Sequence, residues 1–576
     1  MNNRQVAKYF SNIADLLSIK GESRFRILAY ERAAETISEL GRDIEEVWKA
    51  GELEAVPGIG EAIASKITEL LEDGRMSYYD KLTEEIPVGL IEVLNVNHVG
   101  PKKAALFWKE LGITTVEALA EAAETDRLAG LPGMGARSQE RILEGIAALR
   151  RHQTGRILLG EAVPQADAIL AKLRQLPSVA EAEAAGSLRR WRETVGDLDL
   201  LAASDEPEAV MESFLEMLPV DQVVGRGPTK TSVVLEDGLR VQLWVHPVDR
   251  FGSALQYATG SKEHSVRLRE LSLKQGLSLS EHGFKVEGSD ELIACRTEAE
   301  VYQKLGLPWI PPELREDRGE IEAAQKGELP ELIERRHLLG DLHSHTDWSD
   351  GQATMKEMVY GAMAAGHAYL VITDHSQSLG VANGLTPERL RKQRAEIRKL
   401  QKKVGEKIRL FQGAEVEILA DGRLDYDDKV MAELDLVIAS LHTSLGQPRE
   451  KVNERLLNAI RNPHVDLIGH PSGRLIGRRD PADLDFEAIF KAAAEHGTVL
   501  EINSSPERLD LKDTHARRAV ELGCLLAIDT DAHHPEHFDL LTYGVATARR
   551  GWIGPEVVIN TWPLGRLEDW LAGRGP

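Results

Sequence analysis

Residues 340–351 read GDLHSHTDWSDG and follow directly on the apolar pair Leu338-Leu339. They place His343 and His345 two positions apart and Asp350 five positions further on. Because residues i and i+2 of a β-strand point to the same face, we expect the two imidazoles to converge at the end of a strand. A single pair of histidines is more often incidental than a metal site, so the rest of the sequence has to decide.

Short apolar runs alternate with helical stretches on the C-terminal side of this motif. The predicted strands cover 369–372, 409–418, 434–439, 465–468, 498–502 and 525–528, and helices are predicted over 386–403 and 451–462. This alternation predicts a parallel sheet that is closed or nearly closed into a barrel. The active site of such a fold lies at the C-terminal ends of the strands.

Polar residues stand at these strand ends and form, with the opening motif, a set of nine candidate metal ligands: His343, His345, Asp350, His375, Glu415, His442, His470, Asp531 and His533. Imidazole and carboxylate groups without thiolate suit Mn²⁺, Zn²⁺ or Fe²⁺. A single histidine is usually structural, but nine such residues at strand ends favour a metal cluster. The set resembles the ligand set of PHP-family phosphoesterases, which implies a metal cluster that hydrolyses phosphate esters, with His343 and Glu415 as its catalytic residues.

Two arginines, Arg474 and Arg478, follow His470 closely and are candidates to hold a phosphodiester, with a solvated loop as the alternative. Other polar residues near the strand ends are expected to add hydrogen bonds, to lie beside the site or to lie at the surface. They are Asn503, Ser504, His534 and His537.

The composition limits the classes of function. At 576 residues the chain is expected to hold several domains of ~150 residues each. A formal net charge of −23 argues against a general electrostatic grip on nucleic acid, so any DNA contact has to be local. The N-terminus lacks a signal-peptide core, no apolar run is long enough for a membrane span, and the two cysteines fit a reducing cytosol.

A glycine-containing phrase recurs in the first 150 residues: VPGIG at 56–60, VGP at 99–101 and LPGMG at 131–135. Each phrase opens an amphipathic helix, whose first N–H groups and dipole favour a phosphate. We therefore expect backbone contacts to a phosphate at Gly58, Gly60, Gly100, Gly133 and Gly135, with plain helix–turn–helix connections as the alternative. The phrases resemble helix-hairpin-helix motifs, which implies that these phosphates belong to a DNA backbone. The middle copy has Asn97-His98 where the others have Pro-Gly.

One lysine in this region is a candidate nucleophile. Lys66 lies on the helix that follows the first phrase. It is a candidate Schiff-base residue for a lyase reaction, and a solvated surface lysine is the alternative.

A second candidate metal site lies between residues 185 and 201, where the sequence shows strand-like alternation. Asp197 and Asp199 would share one strand face, and two such carboxylates can bridge Mg²⁺ or Mn²⁺ ions for phosphoryl transfer. An isolated D-x-D is weak, but the G-S-x-R-R…G-D-L-D-L combination is typical of a nucleotidyltransferase palm. The candidate triphosphate contacts are Gly186, Ser187, Arg190 and Gly196.

Taken together, these motifs resemble helix-hairpin-helix repeats followed by a bacterial family X DNA polymerase with a fused PHP (polymerase and histidinol phosphatase) domain. The resemblance implies a multidomain α and α/β fold: a helical helix-hairpin-helix domain at 1–150, a palm region at 151–250, a thumb at 251–315, a linker at 316–337 and a PHP distorted β/α barrel at 338–576. It also implies nucleotide contacts at Tyr257 and Gly260 in the segment YATGS, where Ala258 replaces the usual aromatic residue. All nine candidate ligands match the PHP pattern.

The chain departs from this family at the third metal-binding carboxylate of the palm. The strand predicted at 238–245 buries alternate residues, so Gln242 points to the functional face at that carboxylate's position. An amide is neutral and cannot serve as a base for a primer hydroxyl. We therefore expect a palm that binds a nucleotide or a primer end but polymerises poorly.

The sequence predicts a DNA-repair enzyme whose main activity is metal-dependent 3′–5′ exonuclease action, with cleavage at abasic sites as a second candidate activity and gap-filling synthesis weakened by Gln242. The alternatives are a DNA-end-binding nuclease with a non-catalytic palm and a phosphoesterase for small phosphate esters. The expected cofactors are a Mn²⁺ or Zn²⁺ cluster in the PHP domain and Mg²⁺ or Mn²⁺ in the palm. The expected partners are gapped duplexes or 3′ ends and dNTPs, for a cytoplasmic, nucleoid-associated monomer without membrane contact.

Overall fold

The computed structural model describes residues 3–39, 44–56, 58–96, 98–154 and 156–573. The chain divides into two compact units, 1–155 and 156–576. The finer division into helix-hairpin-helix, palm, thumb, linker and PHP regions stays a prediction. None of the described helices combines the length and the hydropathy that a membrane crossing requires.

The first unit is helical in its described residues. Its helices are α1 (Asn3–Lys20), α2 (Arg24–Glu39), α3 (Ile44–Lys49), α4 (Glu61–Asp73), α5 (Ser77–Glu85), α6 (Leu90–Leu94), α7 (Pro101–Leu111), α8 (Val116–Glu124) and α9 (Ala136–Thr154). Apolar residues at helical spacing meet in one core that includes Phe10, Ile67, Phe107 and Leu119. The helices α4, α7 and α9 are those predicted after the three glycine phrases.

The second unit begins with the palm region. Its elements are β1 (Ile157–Leu158), α10 (Leu159–Leu173), β2 (Glu181–Ala184), α11 (Gly186–Arg189), β3 (Thr194–Val195), β4 (Leu198–Ala203), α12 (Pro207–Glu216), β5 (Val220–Arg226), β6 (Lys230–Leu235) and β7 (Arg240–His246). Five strands form a sheet in the order β2-β4-β7-β6-β5. On β7, Val241, Leu243 and Val245 are buried and Gln242 is on the opposite face, as the alternation predicted.

The strand-like alternation noted between 185 and 201 holds for β4 but not for the first residues of that stretch. Residues 186–189 form the short helix α11, and Gly186 has a φ of +58°. A Cβ atom at this position would collide with the carboxylate of Asp199, so the absence of a side chain lets the helical turn approach the aspartate closely. Period-2 alternation over six residues could not distinguish this turn from a strand.

The thumb region consists of α13 (Phe251–Thr259), α14 (Lys262–Leu273), β8 (Leu277–Ser280), β9 (Gly283–Val286), β10 (Leu292–Ile293) and α15 (Glu298–Lys304). The segment after it carries α16 (Glu320–Lys326). Ile321 and Ala324 of this helix are buried in the thumb core, and Ile333 is buried in the core of the PHP region. The predicted linker therefore packs into the cores on both of its sides.

The PHP region alternates strands and helices: β11 (Gly340–Asp341), α17 (Met355–Ala364), β12 (Tyr369–Ile372), α18 (Pro387–Val404), β13 (Arg409–Glu417), α19 (Asp428–Met431), β14 (Leu436–Ser440), α20 (Arg449–Arg461), β15 (Leu467–Ile468), α21 (Phe486–His496), β16 (Val499–Asn503), α22 (Asp513–Glu521), β17 (Leu526–Asp529), α23 (Leu541–Arg550) and α24 (Leu564–Ala572). The strands pair in chain order and in parallel. A parallel bridge between Ser344 and Ala532 brings the two ends of the sheet together. The predicted distorted β/α barrel is confirmed.

The palm and PHP regions share an apolar contact. Leu509 of the PHP region is buried within the palm core, and Ile476 and Tyr543 pack against the same core. The rings of Trp191 and Tyr543 meet edge to face with centroids 6.0 Å apart. Residues from two loops and from α23 of the barrel therefore pack into the palm's apolar core.

Candidate active centre

The parallel strands deliver the nine candidate ligands to one end of the barrel. Glu415 lies at the centre of the group and is buried. Its two carboxylate oxygens face five imidazoles at nitrogen–oxygen distances of 3.0–3.5 Å. These imidazoles belong to His343, His345, His375, His442 and His470.

Two aspartates complete the set. Oδ1 of Asp531 lies 3.1 Å from Nε2 of His345 and 3.6 Å from Nε2 of His343. Asp350 lies 3.4 Å from His375 and 3.5 Å from His533. The structure therefore brings all nine residues into one contiguous cluster.

The spacing of these groups suits metal ligands. The ligand atoms of eight of the nine residues, all but His470, fall into three overlapping groups, each with its atoms within 4.8 Å of one another. Ligands about 2.1 Å from a shared ion lie about 3.0–3.5 Å apart, which is the range found around Glu415. Both oxygens of Glu415 and both ring nitrogens of His345 and His470 are buried without a hydrogen-bond partner in the described part of the chain. Buried polar atoms without partners are rare, so this donor set fits a group of cations.

The cluster is electrostatically heterogeneous. Burial, with His533 and His375 nearby, lowers the pKa of His345 to about 4, and burial with Arg508 lowers the pKa of His470 to about 3. Burial opposes ionisation of Glu415, but the surrounding histidines hold the pKa of its carboxyl well below the usual range. At neutral pH His345 and His470 are therefore neutral and Glu415 is ionised, which are the ligand forms that bind metal. Despite burial, nearby carboxylates raise the pKa of the other imidazoles, so cations that bind there displace protons.

Backbone conformation also distinguishes the cluster. His470 and Asp531 have φ values of +28° and +56°. Residues with side chains rarely adopt this region, and such strain concentrates at functional sites.

Two carboxylates that the sequence interpretation missed orient the histidines. Oε1 of Glu501 lies 2.7 Å from Nδ1 of His343, and Oε2 of Glu417 lies 2.7 Å from Nδ1 of His442. Each contact leaves the Nε2 atom of the ring facing the cluster, which is how metal-binding histidines are usually held. The signal was available for Glu417, since it is two residues from Glu415 on the same strand.

The arginine that lies beside the cluster is Arg508, which the sequence interpretation also missed. Its Nε atom is 3.9 Å from Oδ2 of Asp531, and its Nη1 atom is buried without a hydrogen-bond partner among the described residues. The predicted arginines point elsewhere: Arg474 donates to the backbone oxygens of Arg508 and Leu509, and Arg478 pairs with Glu507. The loop folds so that Arg474 supports Arg508.

The remaining polar candidates lie around the cluster. The amide of Asn503 donates to Oδ2 of Asp531 at 3.2 Å, and the hydroxyl of Ser504 is buried without a partner among the described residues. Nδ1 of His537 accepts a hydrogen bond from the backbone of His533, and the His534 side chain is 40 % exposed.

In the palm, the two aspartates and Gln242 lie together. Asp199 on β4 is directly beside Gln242 on β7 in the parallel register. The amide nitrogen of Gln242 donates to Oδ2 of Asp197. Burial and the neighbouring Asp197 raise the pKa of Asp199 to about 7. Gly196 immediately precedes this pair.

The candidate nucleotide contacts come from α11 and α13, which meet in the structure. Nη1 of Arg190 donates to the backbone oxygen of Thr259, which precedes Gly260, and Nε pairs with Glu316 at 3.1 Å. Ser187 is half-buried on α11, and Tyr257 on α13 is 37 % exposed. The neighbouring Arg189, absent from the sequence interpretation, forms a bidentate pair with Glu298 of the thumb.

The three glycine phrases adopt one repeated turn. In each, a backbone N–H bonds the carbonyl three residues earlier at 3.0 Å, from Ile59 to Val56, Val99 to Val96 and Met134 to Leu131. The residue within the turn has a φ of +90° at Gly58, +68° at His98 and +76° at Gly133, so the middle copy keeps the turn without its glycine. Gly60 and Gly100 begin their helices with no side-chain cap, and Gly135 directly precedes α9. Pro57 and Asn97 lie outside the described residues.

Lys66 lies on α4 and is half-buried. Its ammonium donates to the carbonyl of Ala62 and lies 5.1 Å from the ring centre of Tyr78. Burial, together with the positive charge of Arg26, lowers the pKa of Lys66. A lowered pKa increases the fraction of neutral amine, which is the form that attacks a carbonyl.

Four family models match the chain. A helix-hairpin-helix domain matches residues 1–76, a SAM-like helix-hairpin-helix tandem 90–148, a DNA polymerase beta thumb 254–316 and a PHP domain 341–505.

Among curated proteins, the DNA polymerase/3′-5′ exonuclease PolX of Bacillus subtilis (strain 168) is 39 % identical over 573 residues, which is 99 % of each chain. A probable phosphatase of Thermoanaerobacter sp. (strain X514) is 29 % identical over 246 residues, 41 % of this chain and 94 % of the phosphatase. The first similarity extends over both units, whereas the second is limited to part of the chain.

Proposed function

This chain belongs to the PolX family, the bacterial family X DNA polymerases that carry a PHP domain, and we propose that the nine-residue cluster is its 3′–5′ exonuclease centre. The observation that carries the proposal is the arrangement of five imidazoles around the buried Glu415, in a chain that matches a polymerase/exonuclease over nearly its full length. The chain is a metal-dependent DNA polymerase and exonuclease. The proposal has three further parts. DNA synthesis is weak, and the chain also cleaves DNA at abasic sites. The cations are Mn²⁺ or Zn²⁺ in the cluster and Mg²⁺ or Mn²⁺ in the palm.

In this proposal the nine cluster residues hold the cations. When bound, such cations would supply charge stabilisation for the phosphoryl oxygens and a nucleophilic water at neutral pH. Glu501 and Glu417 fix the rings of His343 and His442 so that their Nε2 atoms face the cluster. The Nη1 atom of Arg508 is buried beside the cluster and has no hydrogen-bond acceptor among the described residues. In this proposal it donates a hydrogen bond to a non-bridging oxygen of the scissile phosphate.

The palm supports the second part of the proposal. The Asp197 oxygen that accepts the Gln242 amide is engaged by a hydrogen-bond donor, and the raised pKa of Asp199 leaves part of that carboxyl protonated near pH 7. Both effects weaken cation binding, so the palm is proposed to bind the primer end and the dNTP with slow synthesis. We further propose that the substrates are gapped duplexes and 3′ ends. The protein is proposed to be a monomer associated with the cytoplasmic nucleoid.

The test is a 5′-labelled gapped duplex incubated with Mn²⁺, with and without dNTPs. We expect His343→Ala to abolish shortening of the labelled strand, Asp197→Ala to retain it, and His534→Ala, a more exposed histidine nearby, to behave as wild type. Shortening that persists in His343→Ala would overturn the assignment.

The two alternatives give different outcomes in the same assay. Loss of shortening in both His343→Ala and Asp197→Ala would mean that the palm presents the strand to the nuclease. Hydrolysis of p-nitrophenyl phosphate without any shortening of DNA would favour the small-ester phosphatase.

A further inference from the structure

A cavity of about 180 Å³ lies at the junction of the palm, the segment after the thumb and the PHP region. We name it the junction cavity. It is larger than a single water molecule needs, since about 10–15 Å³ of such volume holds one water. The charged residues that line it are Arg192, Glu193, Arg318, Lys512, Asp513 and Arg550.

The negative charges of this lining are already neutralised. Oδ2 of Asp513 is paired with both Arg318 and Arg550 at 2.9 Å. Glu193 is paired with Arg474 at 2.9 Å. The two acids therefore leave little negative potential inside the cavity.

Two cations of the lining are not neutralised to the same degree. The side chain of Arg192 is 41 % exposed and lies 3.6 Å from Glu316, whose other oxygen is shared by Arg190 and Arg550. Lys512 forms no ion pair within the described part of the chain. Arg192 belongs to the palm and Lys512 to the PHP region, so the two positive charges come from different walls of one cavity and favour an anion between them.

Residues that line the junction cavity are close in sequence to residues of both candidate active sites. Arg192 follows Arg190 of the nucleotide segment by two residues, and Leu509, which lines the cavity, follows Arg508 of the cluster. A strand whose 3′ end lies at the cluster carries its next phosphates away from it, and a positively charged cavity lined by the residue after Arg508 offers a site for one of them.

We propose that the junction cavity binds a backbone phosphate of the DNA strand whose 3′ end occupies the PHP cluster. The inference rests on the proposed exonuclease function. The site is built by the palm and the PHP region together, so it selects polynucleotides over small phosphate esters and places the strand against the palm.

The test uses the full-length double variant Arg192→Gln/Lys512→Gln, with Lys491→Gln as the matched control because its side chain on α21 is 68 % exposed. Two substrates are compared: a 5′-labelled single-stranded oligonucleotide, and thymidine 5′-p-nitrophenyl phosphate, which lacks further phosphates. We expect kcat/KM for the oligonucleotide to fall about tenfold, and the slope of log KM against log salt to fall by about 0.7, as for one lost phosphate contact on a single strand. Hydrolysis of the small ester stays unchanged.

A second set of substrates locates the contact. Oligonucleotides with one methylphosphonate at successive positions from the 3′ end should show one position at which wild type loses activity and the double variant does not.

Three results would overturn the inference: no change on the oligonucleotide, an equal loss on both substrates, or a change confined to inhibition by a free deoxynucleoside monophosphate, which would mean that the cavity binds nucleotide product. Failure of the proposed function itself is seen separately, as wild type that does not shorten DNA.

Discussion

The side-chain amide of Gln242 donates a hydrogen bond to Oδ2 of Asp197. The N–H group of the neutral Gln242 thus binds an Asp197 oxygen that would otherwise be available to a cation in the palm. In the same sheet, Gln242 lies beside Asp199 in register, so all three side chains share one small volume.

Gln242→Asp is expected to increase primer extension. A third carboxylate beside Asp197 and Asp199 restores negative charge for cations and removes the competing donor, which predicts a gain of about 100-fold in the rate of single-nucleotide insertion with Mg²⁺. Gln242→Asn, which keeps a neutral amide, should not gain. Wild type that extends as fast as Gln242→Asp would contradict this explanation.

Arg508→Gln is expected to lower kcat/KM of the exonuclease by about 100-fold, because a buried charged donor to the phosphate is lost. Arg508→Lys should recover part of the activity through its charge. Arg478→Gln is the control, since Arg478 pairs with Glu507. Equal effects of Arg508→Gln and Arg478→Gln would show that the loop acts only through its structure.

Binding of Mn²⁺ is expected to stabilise the protein against heat. A ligand that binds only the folded state at 100 times its Kd adds about 2.7 kcal/mol to the free energy of unfolding. Glu415→Gln, which removes the charge at the centre of the cluster, should reduce the rise in Tm with Mn²⁺. A rise of equal size in wild type and Glu415→Gln, followed by differential scanning fluorimetry, would exclude the cluster as the main binding site.

Stability of the second unit is expected to fall in acid through Glu298. Burial opposes its ionisation, but Arg315 and Arg189 lower its pKa from 4.5 to about 2. A carboxyl whose pKa is lower in the folded than in the unfolded state stabilises the fold at pH values above its unfolded-state pKa. This contribution, roughly 3 kcal/mol, is lost as the pH falls from about 4.5 towards 2. Tm measured across this range should depend less on pH in Glu298→Gln, which should also melt lower at pH 7 because buried Arg315 loses its partner. An unchanged pH dependence would refute this role.

Lys66→Ala is expected to abolish any lyase reaction at a 5′ abasic residue. The lowered pKa of Lys66 favours attack by the neutral amine, and the Schiff base formed can be trapped with borohydride as a protein–DNA adduct. Lys81→Ala, at an exposed position on α5, is the control. An adduct that survives in Lys66→Ala would assign the chemistry to another amine.

Sequence patterns within a single strand or turn predicted those features that depend only on that strand or turn. Strand ends of a parallel sheet meet at one edge, so residues such as His375 and Asp531 could be placed together from the sequence. Period-2 alternation put Gln242 on the functional face. The glycine phrases predicted the turns that precede α4, α7 and α9, and the turn at His98 shows that the repeated backbone does not depend on glycine alone.

The sequence by itself determined the fold class, the nine residues that meet at the barrel end and the face of the strand that carries Gln242, because strand periodicity acts over a few residues at a time. That Gln242 replaces a palm carboxylate came from the family resemblance. Only the tertiary structure decided that Arg508 faces the cluster while Arg474 turns back to support it, that Glu501 orients His343, and that palm and barrel share a cavity. Those relations join residues far apart in the chain, and their side-chain directions depend on how loops pack rather than on the period of any one element.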